Sequence, residues 1–168
     1  MLAVREADVI KDHECDALAE ILIGVVEDGA SVGFLPPLTH DEAVRYWRGV
    51  LQPDVRLLLA EREGRIVGAA QLMLAMRANG SHRAEVGKVL VHPNAQRQGI
   101  GRALMEGIDP IARREGRTLL HLDTREGDGA NGLYQSLGYV EAGRIPAFAR
   151  SRNGELHTTV FYYKQLTP

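Results

Sequence analysis

Apolar positions along the chain change their spacing in a way that alternates strands with helices. Leu2 to Glu6 alternates apolar and polar residues and predicts a first strand. Between Glu14 and Glu27, Leu18, Ile21, Leu22, Val25 and Val26 fall at helical spacing with one buried face. Gly29 is a helix stop, and Ala30 to Leu38 is a loop with two prolines. Thr39, with Glu42 three residues on, forms a capping box. The helix it opens carries Ala43, Val44, Trp47, Val50 and Leu51 and is expected to end before Pro53. Arg56–Arg62 and Arg65–Met76, joined by Glu63-Gly64, read as a hairpin, and Asn79-Gly80 is the next turn. Arg83–Val91 is a third strand, closed by His92-Pro93. A stripe of Leu104, Ile108, Ile111 and Ala112 predicts the next helix. Thr118–Thr124 reads as a strand, and Ala130–Leu137 as a short helix capped by Gly138. Tyr139–Arg144 and Leu156–Gln165 close the chain as strands around Asn153-Gly154. Hairpin strands beside strand–helix–strand units predict an α/β fold: a mixed sheet with helices on both faces.

Length and charge narrow the class. The chain has 168 residues, enough for one domain spanning 1–168. Its 20 basic and 22 acidic residues argue against a nucleic-acid binder that works by blanket charge. The longest apolar run, Leu72 to Met76, is far short of the ~20 residues a membrane helix needs. The charged start lacks the apolar stretch of a signal peptide, so a soluble, cytoplasmic protein is expected. Cys15 is the only cysteine and reads as an apolar filler on the first helix. The histidines form no ligand-spaced cluster, and no metal is expected.

Candidate chemistry concentrates in VLVHPNAQRQGIGRA, Val89 to Ala103. A strand leads through a loop into a helix whose first turn holds Gly99 and Gly101. Such a helix start offers unpaired N–H groups and the positive end of its dipole to an anion. Glycine lets a ligand approach the backbone, and Arg97 and Arg102 add positive charge. A pyrophosphate fits; so does a helix start with glycines for close packing. The spacing matches neither the GxxxxGK phosphate loop nor GxGxxG.

Gln96-Arg97-Gln98-Gly99-Ile100-Gly101 resembles the Q/R-x-x-G-x-G/A motif of the GNAT superfamily, the Gcn5-related N-acetyltransferases. Further on, ANGLYQSLGY (Ala130 to Tyr139) resembles that family's A-x-x-L-Y-x-x-L-G-F/Y motif. At a finer level, GASVGF, NGSHRAEVGKVLV and LLHLDT are similar to the tabtoxin-resistance acetyltransferases, which acetylate the amine of an amino-acid-like β-lactam. The resemblance implies the GNAT fold, with two central parallel strands, Arg83–Val91 and Thr118–Thr124, splayed apart. It implies acetyl-CoA as cosubstrate. Backbone N–H groups around Gln96, Arg97, Gln98, Gly99, Ile100, Gly101 and Arg102 would hold its pyrophosphate. The strand edge at Leu90 and Val91 would hold its pantetheine arm. Tyr134 takes the place of the general acid for the departing thiolate, a role a phenol suits because it stays protonated at neutral pH; a core tyrosine is the alternative.

Glu85 lies eleven residues before Gln96, the position of the catalytic glutamate in the histone acetyltransferase branch. On an apolar central strand it would be desolvated, with a pKa raised toward that of a working base. It is read as general base, as anchor for the substrate ammonium, or as a structural ion pair with Arg83 or Lys88. Asp123 and His121 share one strand face, suited to binding the acceptor or relaying a proton, or to a core role. Two features depart from the pattern. Gly127 stands where the family often has asparagine, and Asn131 is the candidate to replace that cofactor contact. Pro110 lies within a predicted helix. The expected reaction is direct acetyl transfer from acetyl-CoA to a primary amine of a small molecule. The Ala30–Leu38 loop and the Thr39–Leu51 helix would wall the acceptor pocket. A peptide or protein amine, a non-catalytic CoA-binding module and a nucleotide-binding structural protein are the rivals. No nucleic-acid or membrane partner is expected; a homodimer is left open.

Overall fold

A computed structural model describes residues 1–167. Its strands are β1 (Leu2–Ala7), β2 (Val55–Arg62), β3 (Arg65–Leu74), β4 (Arg83–Val91), β5 (Leu119–Arg125), β6 (Val140–Arg150) and β7 (Leu156–Gln165). The helices are α1 (Asp12–Glu27), α2 (His40–Arg48), α3 (Ile100–Arg114) and α4 (Ala130–Ser136). The strands form one sheet in the order β1-β2-β3-β4-β5-β7-β6. Neighbours run antiparallel except β4 and β5. That one parallel pair needs a crossover, which α3 supplies.

Side-chain alternation divides the core between the two faces. On β2, Leu58 and Ala60 pack with Leu104, Met105 and Ile108 of α3. Leu57 and Leu59 face Leu18, Leu22 and Trp47 of α1 and α2 on the other side. All three β2 leucines are essentially inaccessible, and burying each contributes ~1.5–3 kcal/mol. Thr39 caps α2 as expected: its Oγ1 accepts from Glu42 N–H at 3.2 Å, and its own N–H donates to Glu42 Oε2 at 2.8 Å.

Two elements end away from their expected bounds. The second helix ends at Arg48 with Gly49 as its cap, so Val50 and Leu51 lie beyond it, although Val50 is still buried. Strand β6 continues through Pro146 to Arg150, well past Arg144. It is the sheet's edge, where a proline removes no ladder bond. Helix α3 runs unbroken past Pro110, which sits on its solvent side. No helix among the described residues is long and apolar enough to cross a membrane.

Candidate active site

The site begins where β4 and β5 part. They pair only at Arg83–Leu119, Ala84–Leu120 and Glu85–His121. Beyond Glu85, the β4 edge toward β5 has no strand partner, which leaves a slot through the middle of the sheet. A cleft of about 840 Å³ opens on it. Its walls are β4 (Val89 to Val91), the start of α3, and α4 with Tyr134.

The loop that enters α3 is wound to present donors. Arg97 stands at φ +62 and Gly99, the N-cap, at φ +80. The first helical bond runs from Ala103 N–H to Gly99 O. Among the described residues, no backbone N–H from Gln96 to Arg102 finds a protein acceptor. These orphan donors, at the positive end of a helix, fit the pyrophosphate of acetyl-CoA. Gln96, Arg97, Gly99, Ile100, Gly101 and Arg102 line the cleft, with Leu90 and Val91. Gln98 does not: its side chain turns away, accepting a hydrogen bond from Arg62 of β2. The Gln96 amide braces the loop by donating to Val91 O at 3.3 Å. Arg102 donates to Ser136 Oγ of α4 at 2.7 Å, tying the cleft's two walls.

Asn131 is bonded within the protein. Its Nδ2 donates to Arg125 O at 2.9 Å and to Asp128 O at 2.8 Å, and its Oδ1 accepts from Tyr162 Oη at 2.8 Å. Both amide hydrogens serve the protein, and Asn131 staples the β5–α4 loop to β7.

Tyr134 is buried at the slot, with its ring among Tyr139 and Tyr162. Among the described residues nothing hydrogen-bonds its hydroxyl, unlike that of Tyr162. Burial, with Asp123 and Asp128 adding repulsion, pushes its pKa up to about 12.

On the other face of the sheet the two parallel strands present their polar residues together. Leu120 and Leu122 point to the α3 side, so His121 and Asp123 point to the side of α1 and α2. Ala84 and Val86 do the same for β4, leaving Glu85 beside His121 where the pairing stops. Glu85 is half-buried, and among the described residues it makes no ion pair with Arg83 or Lys88. Asp123 is exposed, yet desolvation by the surrounding chain raises its pKa against the pull of Lys88 and His121. The α1–α2 loop covers this face, tethered by Arg125, whose Nη1 donates to Gly29 O at 3.0 Å and whose Nε pairs with Asp128 at 3.0 Å.

One residue escaped the sequence reading, and a second was named there only as a possible ion-pair partner of Glu85. Arg125 carries no local signal, because its partner Gly29 is 96 residues away. Lys88 follows Gly87 where the apolar alternation slips: Ala84 and Val86 keep one phase, Val89 and Val91 the other. That slip is the mark of a β-bulge.

Comparison with known proteins agrees with this geometry. A family model described as the acetyltransferase (GNAT) family matches residues 27–139. An N-acetyltransferase encoded in the hisH–hisA intergenic region of Azospirillum brasilense is 32% identical over 128 residues, 74% of this chain and 76% of its own length. A phosphinothricin N-acetyltransferase of Alcaligenes faecalis is 32% identical over 141 residues, 80% of this chain and 70% of its own. Among solved structures, yncA of Salmonella typhimurium, with its cofactor acetyl-CoA, superposes with a TM-score of 0.82 at 23% identity, covering 99% of this chain and 94% of that one.

Proposed function

The chain belongs to the acetyltransferase (GNAT) family, and from that premise we propose that it moves the acetyl group of acetyl-CoA to the primary amine of a small molecule. The observation that carries this reading is the slot: β4 and β5 separate beyond Glu85, between orphan backbone donors on one side and facing carboxylates on the other. Acetyl-CoA supplies the activated thioester that an amine attacks.

The chain's own residues handle position and protons. The N–H groups at the start of α3 and the free edge of β4 hold the cosubstrate. Glu85 and Asp123 receive the acceptor ammonium and take its proton, directly or through water. Of the two, Asp123 has the environment of a base, because desolvation makes its carboxylate hold a proton more tightly. Tyr134 keeps its proton at neutral pH and lines the cleft. Its hydrogen bond stabilises negative charge as it develops on the leaving sulfur. The likeness to a phosphinothricin N-acetyltransferase supports a small-molecule acceptor over a protein one.

The test is calorimetric and kinetic. Acetyl-CoA is expected to bind and to raise the melting temperature, whereas ATP and NAD do not. Free thiol should then appear with a panel of small amines. Tight binding without thiol release for any amine, peptides included, would leave a CoA-binding module.

A further inference from the structure

Strand β6 is the longest strand of the molecule, and ten of its eleven residues are exposed. It ends the sheet, with β7 as its one strand partner among the described residues. Opposed residues of an antiparallel pair share a face, so the register carries orientation outward from the slot. His121 stands opposite Tyr163, and Tyr163 opposite Val140. Arg125 stands opposite Thr159, and Thr159 opposite Ile145. Phe161, between them on β7, lies opposite Asp123. Phe148 packs edge-on against Phe161, with ring centroids 5.3 Å apart. Val140, Ile145, Phe148, Phe161 and Tyr163 therefore gather on the face that His121 and Asp123 share.

Among the described residues, no buried core covers that face of the last three strands. The core under α3 takes in Val160 and Tyr162 of β7, but the core under α1 and α2 stops at β4. Val140, Ile145 and Phe148 are each about half exposed, and Tyr163 more than a third. With Phe161 they leave roughly 400 Å² of adjoining apolar surface, a size at which a patch on a monomer often serves binding. Charges on the strand alternate away from it. Glu141 and Arg144 stand opposite Tyr162 and Val160, on the α3 side, and Arg144 pairs with both Glu141 and Glu126. The edge itself is blunted against strand addition. Pro146 has no N–H to offer, Ala147 sits at φ +54, and the register slips twice against β7. A partner therefore meets the face, not the edge.

A twofold interface sets one patch against itself and needs a surface that is its own complement. An uncharged apolar centre meets that requirement, whereas a patch of one sign repels its copy. An interface of standard size takes about 800 Å² from each side, rather more than half of it apolar. Roughly 400 Å² of apolar centre, rimmed by the polar residues of β6 and β7, approaches that share. We propose that this face of β6 and β7 packs against the same face of a second copy of the chain, in a twofold dimer centred on Ile145 and Phe148. Dimer formation does not depend on the acetyltransferase reading above.

Sedimentation velocity of the full chain, over a roughly hundredfold range of concentration, is the test. Wild-type protein should reach the mass of two chains as concentration rises. Ile145→Glu and Phe148→Glu each set two carboxylates, one from either copy, into the apolar centre. Each should weaken the dimer at least about tenfold. Both positions are exposed, so the variants should fold and should bind acetyl-CoA in calorimetry as the wild type does. Val9→Glu, at an exposed apolar position beside β1 and the far edge of the sheet, should leave the mass unchanged. Hydrogen exchange on the wild-type chain needs no variant: amides of β6 and β7 should gain protection as concentration rises. The proposal is overturned if the wild-type protein keeps the mass of one chain throughout, which would leave the face to a different partner. It is equally overturned if dimer affinity survives both glutamate substitutions in folded protein, or if Val9→Glu weakens the dimer as much as they do. Concentration-dependent protection found only away from β6 and β7 would overturn it too.

Discussion

A phenol whose pKa is pushed up to about 12 holds its proton across the whole working range of an enzyme. An ordinary thiol, near 8.5, holds its proton less tightly. Tyr134 is therefore better suited to hydrogen-bond developing thiolate charge than to surrender the proton outright. Tyr134→Phe keeps the ring and should leave acetyl-CoA affinity similar in calorimetry while lowering turnover by ~10²-fold. No alkaline loss of activity should arise from this group below its raised pKa. Asp123 gives the opposite limb. As a base it must be ionised, so kcat/KM should fall as pH drops through a pKa lying above the usual carboxylate range. Asp123→Asn should abolish that limb, and a limb left unchanged would reassign the base to Glu85. The linkage sign differs from that of catalysis. The folded state binds this proton more tightly than the unfolded chain does, so the group's contribution to stability is greatest at low pH and is lost as pH rises through the raised pKa. At this scale the sequence was informative where roles follow from spacing. His121 and Asp123 share a face because strands alternate. Whether Glu85 and Lys88 share a face depended on the bulge at Lys88 and Val89, which separates phase from sequence distance.

Among the elements, the loop into α3 is the one whose geometry matters most. Gly99 holds φ +80 at the N-cap, where a β-branched side chain is strained. Gly101 is different: a Cβ there would meet Leu133 Cδ2 at an ordinary 3.5 Å. Gly99→Val should weaken acetyl-CoA binding at least about tenfold by rewinding the donor loop. Gly101→Val should fold normally and weaken binding by filling the cleft floor. Calorimetry with either variant checks this, and unchanged affinity in the folded Gly99→Val protein would remove the loop from the site. The bounds of α3, α4 and β4 were legible because each is bracketed by turn glycines, a proline or a sustained apolar stripe. The end of α2 was not, since Val50 continues the apolar pattern by burying itself beyond the helix. Edge position, invisible in sequence, allowed β6 to pass Pro146.

At the scale of the whole molecule the sheet is two half-sheets, β1–β4 and β5–β7, whose strands pair at only three positions. A ligand lying in the slot would touch both halves. Acetyl-CoA should therefore slow amide hydrogen exchange on both β4 and β5, in addition to raising the melting temperature. Protection confined to the α3 loop would mean that the cosubstrate does not enter the slot. Sequence alone determined the order of elements, the donor-rich helix start and the family, because these rest on periodicity and on short contiguous motifs. It also brought Glu85, Asp123 and Tyr134 forward, since each sits within or beside such a motif. Tertiary structure alone decided that Asn131 and Gln98 serve the protein's own loops, that Arg125 ties down a distant loop, and that Lys88 turns to the acceptor face unpaired. Those outcomes depend on partners far along the chain and on one extra residue in a strand, and local pattern carries no record of what a side chain meets after folding.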